Sequence, residues 1–145
     1  MASLTIGTAI PLATNCINQV MLAMDAGDEE SFSNQFTEDG ACTVKIMGKT
    51  FTGTDSLMEL CNTLHTKFKG VRHWEGNVCL TQNEGSVGGS EWVNRSYWKA
   101  LNGGEVVSTG LHEDKLVCNA DTGAFKIVTR TITHFWTKAG GHIEQ

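Results

Sequence analysis

The sequence is poor in positive charge. Its 145 residues contain 11 lysines and arginines against 16 aspartates and glutamates, which gives a formal net charge of −5. Nucleic acids and anionic membranes are bound through clustered cations, and no basic run occurs here. The composition therefore argues against nucleic acid or a membrane as the partner and favours a small organic molecule or a protein.

Long apolar segments are also missing. No run approaches the roughly 20 residues that cross a bilayer. The first cation of the chain is Lys45, so the N-terminal segment has no basic region of the kind that opens a secretory signal peptide. We therefore expect a cytoplasmic protein.

Motifs for metal binding and redox chemistry are absent as well. The five cysteines are scattered and odd in number, and no C-x-x-C pair occurs. The five histidines lie in different segments, without H-x-x-x-H spacing. We expect reduced core cysteines, no metal site and no cofactor.

Proline is nearly absent, and many of the 16 glycines lie at the boundaries between predicted elements. Apolar residues at helical spacing, with capping residues beside them, predict three helices. These are a first helix from Pro11 to Gly27, a short second helix capped by Asp28 that includes Phe32 and Phe36, and a third from Thr54 or Asp55 to Gly70. The segment Thr37 to Gly40 reads as a turn.

Strand patterns dominate the rest of the chain. The predicted strands are Ala41–Met47, Thr50–Thr52, Arg72–Thr81, Ser86–Leu101, Glu105–Cys118 and Ala124–Trp136. Helices first and antiparallel strands afterwards is the order of an α+β fold. At this length we expect one domain over residues 1–145, with a core of about 11–137.

The two longest strands form a predicted hairpin from Glu105 to Trp136, joined by the turn at 119–123. Side chains in a strand alternate, so His112 and Asp114 share one face, together with Val106. The return strand carries one cation, Arg130. A mostly apolar hairpin that presents an imidazole and a carboxylate on one face is typical of the wall of a reactive pocket.

The ordered set of elements resembles the SnoaL-like branch of the nuclear transport factor 2-like superfamily. The residues that carry the resemblance are Met24-Asp25-Ala26-Gly27-Asp28, Phe36-Thr37-Glu38-Asp39-Gly40, Gly53-Thr54-Asp55, Arg72-His73 with Asn77, and Asp114 ahead of Gly123-Ala124-Phe125-Lys126-Ile127 and Arg130. The resemblance implies a cone-shaped, strongly curved, mostly antiparallel sheet wrapped around three N-terminal helices, with an apolar pocket. It also implies a homodimer through the outer face of the sheet. Scytalone dehydratase, ketosteroid isomerase, polyketide cyclases and non-catalytic binding modules share this superfamily.

The resemblance also implies site residues. Asp25 and His73 fall where the dehydratases of the superfamily keep an aspartate and a catalytic histidine, and Asp114 falls where they keep an Asn or Asp. Arg130 matches an arginine often present on the last strand. The tyrosines that those dehydratases place on the first helix correspond here to Val20 and Met24, which cannot hydrogen-bond a substrate oxygen.

An imidazole oriented by a carboxylate is an effective general acid and base, because its pKa of about 6.5 lies near working pH. We therefore predict that His73 is catalytic and that Asp25 orients it, with a structural histidine as the alternative. Asp114 is predicted as a second base whose pKa is raised by burial, or else as the salt-bridge partner of Arg130. The residues expected to bind substrate are His112, Arg130, Trp92, Trp98, Val20 and Met24.

Two functions follow. The first is a cofactor-independent dehydratase, isomerase or cyclase that acts on a small, largely apolar carbonyl- or hydroxyl-containing molecule. The second is a non-catalytic module that binds a hydrophobic ligand or a protein partner, and the loss of both tyrosines favours it.

Overall fold

The computed structural model describes residues 4–86, 90–119 and 121–143. The helices in this part of the chain are α1 (Ile6–Ala26), α2 (Glu29–Asn34) and α3 (Thr54–Lys67). The strands are β1 (Phe36–Val44), β2 (Lys49–Thr52), β3 (Arg72–Gln82), β4 (Glu91–Asn102), β5 (Glu105–Cys118), β6 (Phe125–Thr137) and β7 (Gly141–His142). None of the described helices is both long enough and apolar enough to cross a membrane.

The strands form one curved sheet in the order β2-β1-β6-β5-β4-β3, and β7 pairs with the end of β6. All pairings are antiparallel except that of β1 with β6, which is parallel. The helices pack against this mostly antiparallel sheet, so the predicted α+β class is confirmed.

Helix α1 supplies much of the core. It buries a stripe that recurs every three or four residues, and this stripe comprises Ala9, Ala13, Cys16, Ile17, Val20, Met21 and Met24. The helix begins at Ile6 and not at the expected Pro11. Pro11 lies inside the helix and has no N–H to donate to the Gly7 carbonyl. Gly7 is exposed, so water can hydrogen-bond this carbonyl instead.

The entry to the sheet differs from the prediction. Helix α2 is capped by Asp28 as expected, but it ends at Asn34, so Phe36 begins β1 instead of continuing the helix. Thr37 to Gly40, predicted as a turn, belongs to the same strand, with a register break between Phe36 and Ala41 where β1 pairs with β6. Local patterns could not show this, because the partner strand lies far away in the sequence.

The other boundaries differ less. Residues 45–47, predicted as strand, form a 3-10 turn after β1, and β4 begins at Glu91 instead of Ser86. Ala120, in the predicted 119–123 turn, lies outside the described residues. The register of β4 and β5 slips between Ala100 and Leu101, so Val106 is exposed and Val107 packs against the core in its place. The predicted shared face of His112 and Asp114 is confirmed, since both are buried.

Gly110 of β5 makes room for a large side chain. It pairs with Trp98 of β4, and the indole ring lies over it: an added Cβ would come within 2.5 Å of Trp98 Cζ2 and 1.9 Å of the Thr133 carbonyl oxygen. Any side chain at this position would therefore displace Trp98 or the β6 backbone.

We expect Gly110→Ala to lower the free energy of unfolding by about 1–3 kcal/mol, the usual effect of overpacking. Urea denaturation measures the loss. Gly76→Ala is the matched control, because a Cβ at Gly76 of β3 meets no atom within 4 Å. Equal stability of the two variants would contradict the close packing of Trp98 on Gly110.

Candidate active site

A cavity of about 430 Å³ lies between the helices and the inner face of the sheet. Its walls are largely apolar and include Met21, Met24, Leu64, Val71, Trp98 and Ile132. Its chemically reactive side chains include Asp25, His73, His112 and His134. A mostly apolar cavity of this size with a few polar groups is the usual form of a small-molecule site.

Asp25 and His73 form a pair at one side of the cavity. Asp25 lies in the last turn of α1, and His73 is the second residue of β3. The His73 ring Nδ1 lies 2.6 Å from Asp25 Oδ1, and the His73 backbone N–H donates to Asp25 Oδ2 at 2.8 Å. A carboxylate can only accept, so Nδ1 carries the proton, and in the neutral ring Nε2 carries the lone pair. The structure thus brings together the two residues predicted as a catalytic pair.

The end of α1 holds Asp25 in place. Gly27 caps the helix in the left-handed conformation, with φ of 71°. His65 of α3 packs its ring on Gly27, where an added Cβ would come within 2.6 Å of the ring. The His65 Nδ1 also lies 3.1 Å from the Asp25 carbonyl oxygen. Gly27 therefore serves both the turn and the close approach of α3.

A second histidine–carboxylate pair lies deeper. The His112 ring Nδ1 hydrogen-bonds Glu75 Oε1, and the Ser96 hydroxyl donates to Glu75 Oε2 at 2.9 Å. Both side chains of the pair are at most 2% exposed. The sequence interpretation missed Glu75. The signal was there, because Glu75 follows His73 by two positions on one strand and so shares its face.

Asp114 and Arg130 form a buried ion pair behind this site. Arg130 donates through Nε to Asp114 Oδ1 at 2.7 Å and through Nη2 to Oδ2 at 3.0 Å. Burial alone would raise the pKa of Asp114, but the charge and hydrogen bonds of Arg130 outweigh it and lower the pKa. The prediction of a raised pKa is wrong, and the salt bridge predicted as the alternative is present.

The remaining predicted residues divide into two groups. His112, Trp98 and Met24 line the cavity as expected, whereas Asp114, Arg130, Trp92 and Val20 are absent from its lining. Trp92 is 1% exposed and packs edge-on against Phe125, with ring centroids 6.2 Å apart. Val20 is fully buried on α1. These four side chains lie outside the cavity lining, and their predicted contact with substrate stays a prediction.

Trp98 lies among three imidazoles. Its ring stacks on His112 with centroids 5.6 Å apart, meets the edge of His134 at 4.8 Å, and lies 5.9 Å from His73. Burial, followed by the nearby His112 and His73, lowers the pKa of His134 to about 4, so this imidazole is neutral at neutral pH. His134 is a further cavity residue that the sequence interpretation did not select.

Comparison with known proteins places this fold and cavity in a family. Residues 13–131 match the family model of the SnoaL-like domain. The chain belongs to the SnoaL-like domain family. A search of curated proteins finds no significant match to this SnoaL-like protein.

Solved structures share the fold at low sequence identity. A protein of unknown function with a cystatin-like fold from Nostoc punctiforme PCC 73102 matches with a TM-score of 0.76 and 18% identity, over 92% of this chain and 95% of that one. A Novosphingobium aromaticivorans DSM 12444 protein, provisionally named a scytalone dehydratase, matches at 0.73 and 20%, over 93% and 89%. ActVI-ORFA of Streptomyces coelicolor matches at 0.71 and 20%, over 86% and 96%. These similarities establish the fold of the SnoaL-like chain.

We expect His134→Phe to weaken the acid dependence of stability. In the unfolded chain a histidine titrates near pH 6.5, whereas His134 in the folded protein titrates at about 4. Between these values the unfolded state binds more protons, so the free energy of unfolding falls as the pH is lowered.

Urea denaturation of both proteins at pH 7 and pH 4.5 measures the effect. The loss of stability between the two pH values should be smaller in His134→Phe, which keeps an aromatic ring against Trp98. An equal loss in both proteins would contradict the lowered pKa of His134.

Proposed function

We propose that this SnoaL-like protein is a cofactor-independent enzyme that moves protons on a small, largely apolar carbonyl- or hydroxyl-containing molecule. Its reaction would be a dehydration, an isomerisation or a cyclisation. The observation that carries this proposal is the Asp25–His73 pair at an apolar cavity, with the Nδ1 proton of His73 donated to Asp25.

The chemistry follows from the state of the His73 ring. Its Nε2 lone pair has no hydrogen-bond partner among the described residues, so it is available to a ligand. It would take a proton from a carbon next to a carbonyl group, and Asp25 would stabilise the imidazolium that forms. The imidazolium then returns the proton to another carbon in an isomerisation, or to a departing hydroxyl that leaves as water in a dehydration. Such proton transfers contribute about 10²- to 10⁴-fold to a rate.

The solved structures support this reaction class without deciding it. The Novosphingobium protein carries a provisional name as a scytalone dehydratase, which is a lyase name. The protein from Nostoc punctiforme is of unknown function. Fold similarity spans many chemistries, so the weight of the proposal rests on the histidine and its carboxylate.

A second candidate function is binding without catalysis. The chain has one tyrosine, Tyr97, and that residue is 53% exposed and absent from the cavity lining. Val20 and Met24 take the positions where the family resemblance implies tyrosines, and neither can polarise a carbonyl group. This absence favours a protein that holds a hydrophobic ligand in the same cavity.

Exchange of the α-protons of 2-tetralone in D₂O, followed by NMR, separates the two functions. We expect the protein to accelerate exchange and His73→Phe to reduce the acceleration by about 10²-fold or more. Asp25→Asn should reduce it less, because the imidazole remains but loses the anion that stabilises its charged form. Cys79→Ser is the control on the same strand, since Cys79 is exposed and outside the cavity.

Unchanged exchange in His73→Phe would remove the catalytic assignment. Binding of 2-tetralone without accelerated exchange in the unmodified protein would favour the binding module.

We also propose that the protein forms a homodimer through the outer face of its sheet. Three aromatic side chains are exposed on β3, β4 and β6: Trp74 at 53%, Tyr97 at 53% and Phe135 at 37%. Tyr97 and Phe135 meet edge to face with centroids 6.1 Å apart. An exposed aromatic cluster of this kind supports a protein interface.

We expect Tyr97→Glu to convert the dimer to a monomer, because a carboxylate would be buried without a partner in the interface. Size-exclusion chromatography with light scattering measures the mass. Leu22→Glu is the matched control, since Leu22 is 68% exposed on α1, away from this face. A dimer that survives Tyr97→Glu would contradict the proposed interface.

A cytoplasmic location is part of the proposal. All five cysteines are free thiols, and Cys16, Cys42 and Cys61 are buried. Free thiols of this kind fit a reducing compartment, because oxidising compartments favour disulfides.

A further inference from the structure

The cavity contains two imidazoles that are anchored in the same way. His73 donates its Nδ1 proton to Asp25 on one side, and the His112 ring Nδ1 is hydrogen-bonded to Glu75 on the other. The first pair belongs to the function proposed above. The second pair has no role in that mechanism, although His112 lines the same cavity.

The surroundings of Glu75 keep it ionised. Burial would raise its pKa, but the hydrogen bond from His112 and the charge of Arg130, whose Nη2 lies 3.8 Å away, lower it. Ser96 donates to the other carboxylate oxygen. An ionised carboxylate can only accept, so the proton shared with His112 belongs to Nδ1.

The His112 ring Nε2 is left with a lone pair. Burial, and then the charge of Arg130, lowers the pKa of His112, so the ring is neutral. Its Nε2 has no hydrogen-bond partner among the described residues. Trp98 covers one face of the ring, with an interplanar angle of 22°. A buried acceptor at a largely apolar cavity is stabilised by a ligand that donates to it.

We propose that His112 Nε2 accepts a hydrogen bond from a hydroxyl group of the ligand and that Glu75 is the positioning residue that fixes this tautomer. This rests on the proposed function, because it assigns a ligand class to the same cavity. The class is flat, apolar ring compounds that carry a phenol or alcohol O–H.

The apolar walls of the cavity are the reason for proposing a flat ring compound as the ligand. Trp98 lines the cavity, and so do Met21 and Met24 of α1. Sulfur and aromatic rings make favourable contacts, and methionine adapts its shape to a flat ligand. A ring compound with one hydroxyl would thus satisfy both the walls and His112.

Two probes that differ in one hydrogen-bond donor test the proposal. 2-Naphthol can donate a hydrogen bond, whereas 2-methoxynaphthalene keeps the oxygen and the rings but has lost the donor. Isothermal titration calorimetry on the full chain should give at least about 5- to 10-fold tighter binding of 2-naphthol, because the methyl ether leaves a buried acceptor unpaired. Equal binding of the two probes, or binding of neither, would overturn the proposal.

Variants show which imidazole causes the preference for 2-naphthol over 2-methoxynaphthalene. We expect His112→Phe to abolish this preference and His73→Phe to retain it. Glu113→Gln, an exposed carboxylate on the same strand as His112, should leave it unchanged. A preference that survives in His112→Phe, or one that is lost in His73→Phe alone, would place the hydroxyl elsewhere and overturn the assignment.

Nitrogen-15 NMR of the histidine rings gives a readout that does not depend on how well His112→Phe folds. In the unmodified protein the Nε2 signal of His112 should be that of an unprotonated nitrogen and should shift with 2-naphthol but not with 2-methoxynaphthalene. Glu75→Gln should mix the two tautomers, an effect that a purely structural role of Glu75 would not produce. A protonated Nε2 in the unmodified protein would overturn the proposal.

These results are separable from the catalytic test. Failure of 2-tetralone exchange with an intact naphthol preference would refute the enzyme and leave the hydroxyl site in place. Exchange that depends on His73, together with equal binding of the two naphthalenes, would refute the hydroxyl site alone.

Discussion

The ion pair between Arg130 and Asp114 is the interaction on which the rest of this structure depends. Both side chains are at most 2% exposed, and leaving one without the other would strand a buried charge at a cost of about 3–5 kcal/mol. Its contacts run across the sheet from β6 to β5, β4 and β3, and up to α1. The hydrogen-bonded series comprises Arg130, Asp114, Asn94, Ser96, Glu75 and His112, and the Met21 sulfur accepts from Arg130 Nη1 at 3.2 Å. His112, which lines the cavity, is therefore held by charge as well as by packing.

This arrangement separates two kinds of carboxylate. Asp114 accepts two hydrogen bonds from Arg130 and lies outside the cavity lining, so the pair links β5 to β6. Asp25 and Glu75 each hydrogen-bond one imidazole, and the other nitrogen of each ring has no hydrogen-bond partner among the described residues. The three acidic residues thus differ in chemistry, because Asp114 accepts two hydrogen bonds from a guanidinium whereas Asp25 and Glu75 each hydrogen-bond an imidazole.

Most of the fold could be predicted from the sequence, because helix caps, glycine breaks and strand alternation are local sequence signals. The pair of Asp25 and His73 came from the family resemblance, and alternation placed His112 and Asp114 on one face. Alternation could not decide whether Asp114 faces a ligand or a cation, since that depends on Arg130 across the strand pair. The hydrogen bonds of Glu75 could not be predicted for the same reason. Its partners Ser96 and His112 lie on β4 and β5, and they come close to Glu75 only in the folded sheet.

The parallel pairing of β1 with β6 has a consequence for how the chain assembles. Cys42 lies beside Arg130, 88 positions later along the chain, so this ladder forms only after almost the whole polypeptide is available. Asp25 and His73 lie on earlier segments and can meet sooner. During synthesis the Asp25–His73 pair can thus form before Arg130 has been added to the chain. Closing so long a loop is entropically unfavourable, and sheets with distant partners fold slowly. We therefore expect formation of the β1–β6 ladder, which places Arg130, to be a slow step in folding.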